Sequence, residues 1–411
     1  TNNLFRGNNR SIANCYDLTN TGSQYQGEHP TWKTADPLHS GELCYLLNNA
    51  LREDLKSGQN KGIVSYKQDL NDPNSIPLPI PNGKVVYQRA TYNCDGTPNG
   101  EVEYTNEETA VIIPPHNFNE KTGFCTYCSK INENWKSPEA DGFYHLSTVE
   151  DVEWFSHMVR DAKHGAMKVK LDTDIDFGGV ADAHLPIGSS GNKFFGHFDG
   201  QGHTIKGMVL TTGSKLNDRA FDGQGFFGSV RGGGTDADGT KNNEVIIENL
   251  YIDSSCSIEH DNNFAAGIVA HVNSRNDDNS MIIIRNCGNE ANVYTTGKQA
   301  AGILGCVEGT VVGLQIINCW NKGNITGLAG ESAAICGWSG QTKDGVTKVA
   351  KRCWNIGEVT GMDSNGYNMF RAGKLNNVLN PTLENFVDLC QTNGGNQGKV
   401  TVNTDNPIAS G

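Results

Sequence analysis

The sequence predicts an all-β chain organised as a right-handed parallel β-helix solenoid, and three observations carry that prediction. A block pattern recurs at a fixed period in the second half of the chain. Each period holds short β-type segments separated by Gly and Asn turns. No helical periodicity interrupts them. Length alone, 411 residues, would allow two or three domains, and solenoids of this size also occur as single units.

The repeat opens with an apolar run ending in Asn and an apolar residue: Ile247-Glu248-Asn249-Leu250, Ile284-Arg285-Asn286-Cys287, Ile317-Asn318-Cys319, and a weaker copy at Arg352-Cys353. A second block closes on Gly, as in Asn324-Ile325-Thr326-Gly327 and Glu358-Val359-Thr360-Gly361, with a looser version from Val293 to Gly297. The third reads Ala266-Gly267-Ile268-Val269, Ala301-Gly302-Ile303-Leu304 and Ala333-Ala334-Ile335-Cys336. Cys287 to Cys319 spans 32 residues and Cys319 to Cys353 spans 34. Three strands per turn, none able to bury its own face, stack as coils about 4.8 Å apart. Leu250, Cys287, Cys319 and Cys353 then form one interior column, with Ile268, Ile303 and Ile335 in another. Asn249, Asn286 and Asn318 are expected to hydrogen-bond in a ladder at a corner. An antiparallel sandwich also uses Gly and Asn; the fixed period disfavours it.

Open solenoid ends need covering. Ser147-Thr148-Val149-Glu150 has the form of a capping box, followed by Val152, Phe155 and Val159 at helical spacing up to His164-Gly165. This helix is expected directly before the first strand-like stretch, Val169 to Phe177. Asn380-Pro381 opens a second expected helix, with Leu383, Phe386, Val387 and Cys390 on one face.

Charge excludes some functions. With 33 Lys+Arg against 46 Asp+Glu, the net charge of -13 argues against nucleic acid or anionic lipid as the main partner. No apolar run approaches the roughly 18 residues of a membrane span. The start at Thr1, with neither Met nor a signal peptide, reads as a processed or excised piece.

The segment Phe194-Phe195-Gly196-His197-Phe198-Asp199-Gly200-Gln201-Gly202-His203-Thr204-Ile205-Lys206-Gly207, with Leu185-Pro186-Ile187-Gly188 upstream and Asn318-Cys319-Trp320 downstream, resembles the GLUG-motif parallel β-helix proteins. Such proteins occur on bacterial surfaces, especially in gut Bacteroidetes, and within some IgA-peptidase-type secreted proteins. The resemblance covers about residues 142 to 390. It implies the fold, a secreted or outer-membrane-associated location, and an adhesin-like or carbohydrate-associated role. Asp199 reads as a turn residue before a catalytic one.

Residues 1–30 read as a terminal coil of a β-helix, upstream or docked: Asn3-Leu4-Phe5-Arg6-Gly7 echoes Asn368-Met369-Phe370-Arg371-Ala372, and Ile12-Ala13-Asn14-Cys15-Tyr16 has the coil-start pattern. Self-association through such coils would build a fibre or tandem array. Residues 31–140 form a small mixed insert, and residues 141–411 the β-helix with its capping helices. The insert begins with a short amphipathic helix bearing Leu43, Leu46, Leu47 and Leu51 on one side.

The insert also carries the motif with chemistry. Cys125-Thr126-Tyr127-Cys128 is a CxxC that lets two thiolates share a tetrahedral metal, and Cys94 with His116 completes a Cys3His set for structural zinc. The competing readings are disulfide pairing, natural for an exported chain with 12 Cys, and free thiols. A redox role lacks the strand-to-helix context. The column Cys287, Cys319, Cys353 is expected to remain as buried thiols.

Parallel β-helices also host polysaccharide lyases and glycoside hydrolases, so an enzyme remains the alternative to a binder. The coil acids Asp222, Glu244, Glu248, Asp253, Glu259 and Glu290 do not recur in one register. No catalytic residue is assigned. Trp320, Trp338 and Trp354 are the candidate glycan-binding platform, with Trp320 and Trp354 pointing outward by strand alternation. The expected partners are extracellular glycans or host surface proteins.

Overall fold

The computed structural model describes residues 15, 16, 18, 32–56, 62–108, 113–128, 130–211, 223–274, 281–309, 311–339, 342–361, 382–384 and 387–388. The chain divides into two compact units, one of residues 1–117 with 125–130 and the other of residues 118–124 with 131–411.

The first unit holds helix α1 (Glu42–Lys56), an antiparallel hairpin of Tyr87–Tyr92 with Pro98–Thr105, and a short antiparallel pair, Tyr66–Lys67 with Leu78–Pro79. Its buried core is small: Cys44, Val86 and Tyr104, flanked by Tyr45, Tyr66, Leu70 and Val102. The expected leucine face of α1 is only half-buried, and the buried stripe is Glu42, Cys44 and Asn48. Polar fixation explains the rotation. Asn48 accepts from Tyr66 N at 2.7 Å and donates to Tyr66 O at 2.8 Å, while the Glu42 carboxylate accepts from the amides of Lys33 and Thr34.

The second unit is a parallel β-helix. Among the described residues its strands stack into four parallel sheets of eight, seven, five and four strands, with a short Ala265–Ala266/Ala300–Ala301 pair at one corner. The expected three segments per turn become four because the first block breaks at its corner Asn into two strands, for example Glu244–Glu248 and Tyr251–Ile252. Asn249, Asn286 and Asn318 take φ of 55°, 55° and 53° there, the left-handed region that Asn tolerates better than most residues.

Registers confirm the inferred columns. Phe198, Ile247, Ile284, Ile316 and Ala350 stack inward in the first sheet. Leu250, Cys287, Cys319 and Cys353 are at most 1% exposed, and Ile268, Ile303 and Ile335 are fully buried. Each of the three thiols donates to the carbonyl two residues back, at 3.3 to 3.4 Å. No disulfide occurs among the described cysteines, and burial pushes the Cys319 thiol well above its usual range.

The corner ladder is present. Asn249 donates to Asp199 at 2.8 Å, Asn286 to Asn249 at 2.9 Å, and Asn318 to Asn286 at 3.0 Å. A second, interior ladder was not expected. Asn289 donates to Asn321 at 2.9 Å and Asn321 to Asn355 at 2.8 Å, each amide also reaching a carbonyl two residues on. These three side chains are at most 1% exposed. Gly267 and Gly302 make room for the ladder, since a Cβ there would sit 2.1 and 2.2 Å from the Asn289 and Asn321 oxygens.

Helix α2 (Val149–Arg160) closes the first coils, with corrections of detail. Its N-cap is Thr148, not Ser147, and Asp151 is the reciprocal N3 residue in place of Glu150. A strand, Tyr144–Leu146, already pairs with Lys168–Leu171 before the helix begins, so the first strand precedes the cap. Phe155 packs on Phe194 and Phe198 inside the solenoid. Glu153 accepts from His184 and the Leu185 amide, Ser156 donates to Leu185 O, and Arg160 donates to the Pro186 and Gly188 carbonyls. At the other end the expected helix after Pro381 is corrected. Thr382–Glu384 and Val387–Asp388 are strands pairing in parallel with Val349–Lys351 and Trp354–Asn355. The sequence Leu383-Glu384-Asn385-Phe386 copies Ile247-Glu248-Asn249-Leu250, so its apolar spacing belongs to another coil. The terminal coil proposed for residues 1–30 and its echo at 368–372 lie outside the described residues except for 15, 16 and 18.

Candidate functional site

The hairpin of the first unit places Cys94 in its turn, where Asn93 N donates to Thr97 O at 2.8 Å and Gly96, at φ 83°, closes the loop. Cys125 begins a second tight turn, its amide bonded to Lys130 O at 2.8 Å. Cys94, His116, Cys125 and Cys128 converge, with all donor atoms within 4.8 Å of one another. The sulfur of Cys94 lies 3.6 Å from that of Cys125 and 3.7 Å from that of Cys128, and Cys128 Sγ lies 3.3 Å from His116 Nδ1.

These separations discriminate between the readings. Tetrahedral zinc with Zn–S near 2.3 Å and Zn–N near 2.0–2.1 Å needs edges of about 3.8 Å for S···S and about 3.6 Å for S···N. A disulfide needs about 2.0 Å. The two separations from Cys94 match the S···S edges of a coordination tetrahedron, and the remaining pair lies within 4.8 Å.

Electrostatics point the same way. The amides of Cys128 and Tyr127 lower the Cys125 thiol to about 6, against burial, with His116 and Cys94 assisting. Burial, then the two neighbouring thiols, pushes Cys94 up to about 12. A divalent cation at the centre would relieve that mutual repulsion, and the soft sulfur-rich set suits zinc. Four side chains of this set could fill a tetrahedral shell around a metal ion. The set borders an open cleft of about 410 Å³ that Asp95, Ile113 and Lys130 help to line.

Of the three tryptophans, the β-helix brings two together. Trp320 and Trp354 are register partners with centroids 5.4 Å apart and planes 11° from parallel. Tyr251 stacks on the other face of Trp320 at 5.9 Å, across Gly288, where a Cβ would meet the Trp320 ring at 2.1 Å. Lys322 lies 4.8 Å from the Trp320 centroid. Trp338 pairs with Cys306 in a different sheet. Both Trp320 faces are therefore covered by rings, and the column offers ring edges together with the Lys322–Glu290 ion pair at 2.6 Å.

Sequence reasoning missed an ionic column on the outward side of the first sheet. His145, Lys170, Asp199, Glu248 and Arg285 are successive register partners, one per coil. Glu248 binds His197 through Oε1 and Arg285 through Oε2, both at 2.6 Å. Burial raises its pKa, but Arg285 and His197 outweigh burial and hold it below the ordinary carboxylate range. Asp199 Oδ1 accepts from Gln201 N at 2.9 Å and Asn249 Nδ2 at 2.8 Å, which is a turn-fixing role. At the far end Asp141 pairs with Lys170 at 2.6 Å and is held at about 2, chiefly by that lysine. The available signal was strand alternation, which puts one of these residues outward in each coil.

No family model matches the sequence, and no curated protein matches it. Among solved structures, the chain is similar to a candidate immunoglobulin A1 protease from Bacteroides ovatus, at 16% identity over 61% of this chain and 85% of that chain, with a TM-score of 0.36. The fold assignment rests on the coil registers and not on that likeness.

Proposed function

We propose that the chain is a non-catalytic binding module of the GLUG type, secreted or displayed on a bacterial surface, that recognises extracellular glycans or host surface proteins through its solenoid faces. Zinc at Cys94, His116, Cys125 and Cys128 holds the small unit together, as a unit with so few buried residues requires. The observation that carries the non-catalytic reading is the state of Glu248. One of its oxygens is held by the Arg285 guanidinium and the other by the His197 ring, and its pKa is held down, so it supplies no proton as a general acid.

A second reading, glycan cleavage on the same scaffold, is favoured by one observation. Asp199 and Glu248 are register partners on paired strands, and a pair of neighbouring carboxylates is what glycoside hydrolysis requires. One experiment separates the two. The full chain is incubated with a panel of neutral and acidic polysaccharides while retention and product release are both measured. Retention without new reducing ends or unsaturated products supports the binder. Product release that disappears in Glu248→Gln establishes the enzyme instead.

A further inference from the structure

Cys94 and Cys128 differ from most other described thiols in what can reach them. Among the described cysteines, Cys15, Cys94 and Cys128 are not buried; all the others are, including Cys125 at 4% exposed. Cys94 and Cys128 line the open cleft together with His116, and their sulfurs lie 3.7 Å apart. An oxidant entering that cleft meets two sulfurs side by side.

The two cysteines of the CxxC are not equivalent. The Cys125 sulfur accepts from the amides of Tyr127 and Cys128, and the Cys125 amide is bonded to Lys130 O at 2.8 Å, so this residue is fastened inside its turn. The Cys128 sulfur lies 3.7 Å from the Cys94 sulfur and 3.3 Å from His116 Nδ1. Cys94 sits in the turn of the hairpin formed by Tyr87–Tyr92 and Pro98–Thr105. A bond from Cys94 to Cys128 therefore joins the hairpin to the CxxC turn, two of the segments that a metal ion would join. A bond from Cys125 to Cys128 joins one turn to itself.

We infer that Cys94 and Cys128 form a redox-exchangeable tie, in which oxidation by a peroxide replaces the zinc with a disulfide between them and the small unit stays closed in either state. The inference rests on the zinc reading of the cluster. One thiolate attacks the peroxide: the O–O bond breaks, an S–O bond forms a sulfenic acid, and hydroxide leaves. The second thiolate attacks that sulfur, forming the S–S bond and releasing a second hydroxide. Two electrons pass from the sulfurs to the peroxide oxygens. Cys125 and His116 remain as ligands, too few for a structural zinc shell. The sulfurs close from 3.7 Å to about 2.0 Å, a shift shared between two turns. Exported chains meet oxidising surroundings, where this exchange keeps a unit with a small core closed after metal loss.

The test starts from the full chain, reduced with a dithiol, loaded with zinc, freed of reductant and then treated with hydrogen peroxide. A chromogenic chelator follows zinc release, peptide mapping without reduction locates the linkage, and limited proteolysis between residues 94 and 130 reads the closed state. Zinc release should track the Cys94–Cys128 linkage one to one, and a dithiol with added zinc should reverse both. The oxidised, zinc-free chain should be cleaved at least about tenfold more slowly than the zinc-free chain kept reduced. Cys125→Ser keeps both partners and should form the same linkage, whereas oxidised Cys128→Ser should gain no protection. The unsubstituted chain carries the test by itself if either variant fails to fold. A linkage of Cys125 to Cys128 or to Cys94, zinc release without a disulfide, or an oxidised chain cleaved as fast as the reduced zinc-free one would overturn the exchange. In those cases a chain that began with zinc leaves the metal reading standing. A reduced chain that takes up no zinc overturns both.

Discussion

The interior asparagine ladder makes a quantitative demand. Asn321 is fully buried, donates to Asn355 Oδ1 and Gly323 O at 2.8 Å each, and accepts from Asn289 at 2.9 Å. In Asn321→Ala the Asn289 amide keeps Ala291 O and Asn355 Oδ1 keeps the Gly357 amide, but Gly323 O loses its amide donor. Taking about 1 kcal/mol for each half-satisfied group and up to about 3 for the orphaned carbonyl gives a loss of ~3–5 kcal/mol. Asn318→Gly, in the exposed corner ladder, keeps the left-handed backbone easy and should cost about 1 kcal/mol or less. Gly302→Ala provides the cross-check. Its methyl would sit 2.2 Å from Asn321 Oδ1, so the double variant should be more stable than the two single losses added together, by about 1 kcal/mol or more. Urea unfolding followed by far-ultraviolet circular dichroism measures the four variants against the unsubstituted chain, with unchanged slopes required for comparison. Equal, small losses for Asn321→Ala and Asn318→Gly, with no coupling to Gly302→Ala, would refute the assignment of the inner ladder as a major stabilising element.

Three further outcomes are expected. Cys125→Ser should lower zinc affinity at least a hundredfold, about 2.8 kcal/mol at 1.4 per tenfold, and chelation should open the small unit to proteolysis between residues 94 and 130 while leaving the β-helix resistant. Because Glu248 is held below its unfolded pKa, its contribution is present above about 4.3, the unfolded value, and is lost as pH falls through the folded value. Glu248→Gln should therefore flatten the acid limb of stability against pH and leave the slope above pH 6 unchanged. Gly288→Ala should displace the Trp320 ring, read as a change in tryptophan fluorescence and near-ultraviolet dichroism, which Gly239→Ala, at an open turn, should not produce.

How much of this was legible in the sequence depended on period. The columns through Cys287 and Ile303 and the corner ladder followed from spacing alone, because coils that repeat at 32 and 34 residues put equivalent side chains above one another. The inner ladder was missed because Asn after Gly or Trp reads as a turn; the readable signal was Asn two residues after each column Cys, opposite Gly267 and Gly302. Residues 382–388 were misread because Leu383, Phe386 and Val387 satisfy a helical period and a coil start equally well. The four candidate ligands were found by residue type and the CxxC. Their convergence required the hairpin turn at Cys94, which spacing does not encode.

The most direct test of the account is zinc-edge X-ray absorption on the purified chain, paired with metal quantification. A structural staple predicts about one zinc per chain with three sulfurs near 2.3 Å and one nitrogen near 2.0–2.1 Å. An oxygen ligand from solvent in that shell, or a chain without zinc whose Cys94, Cys125 and Cys128 are oxidised, would contradict it.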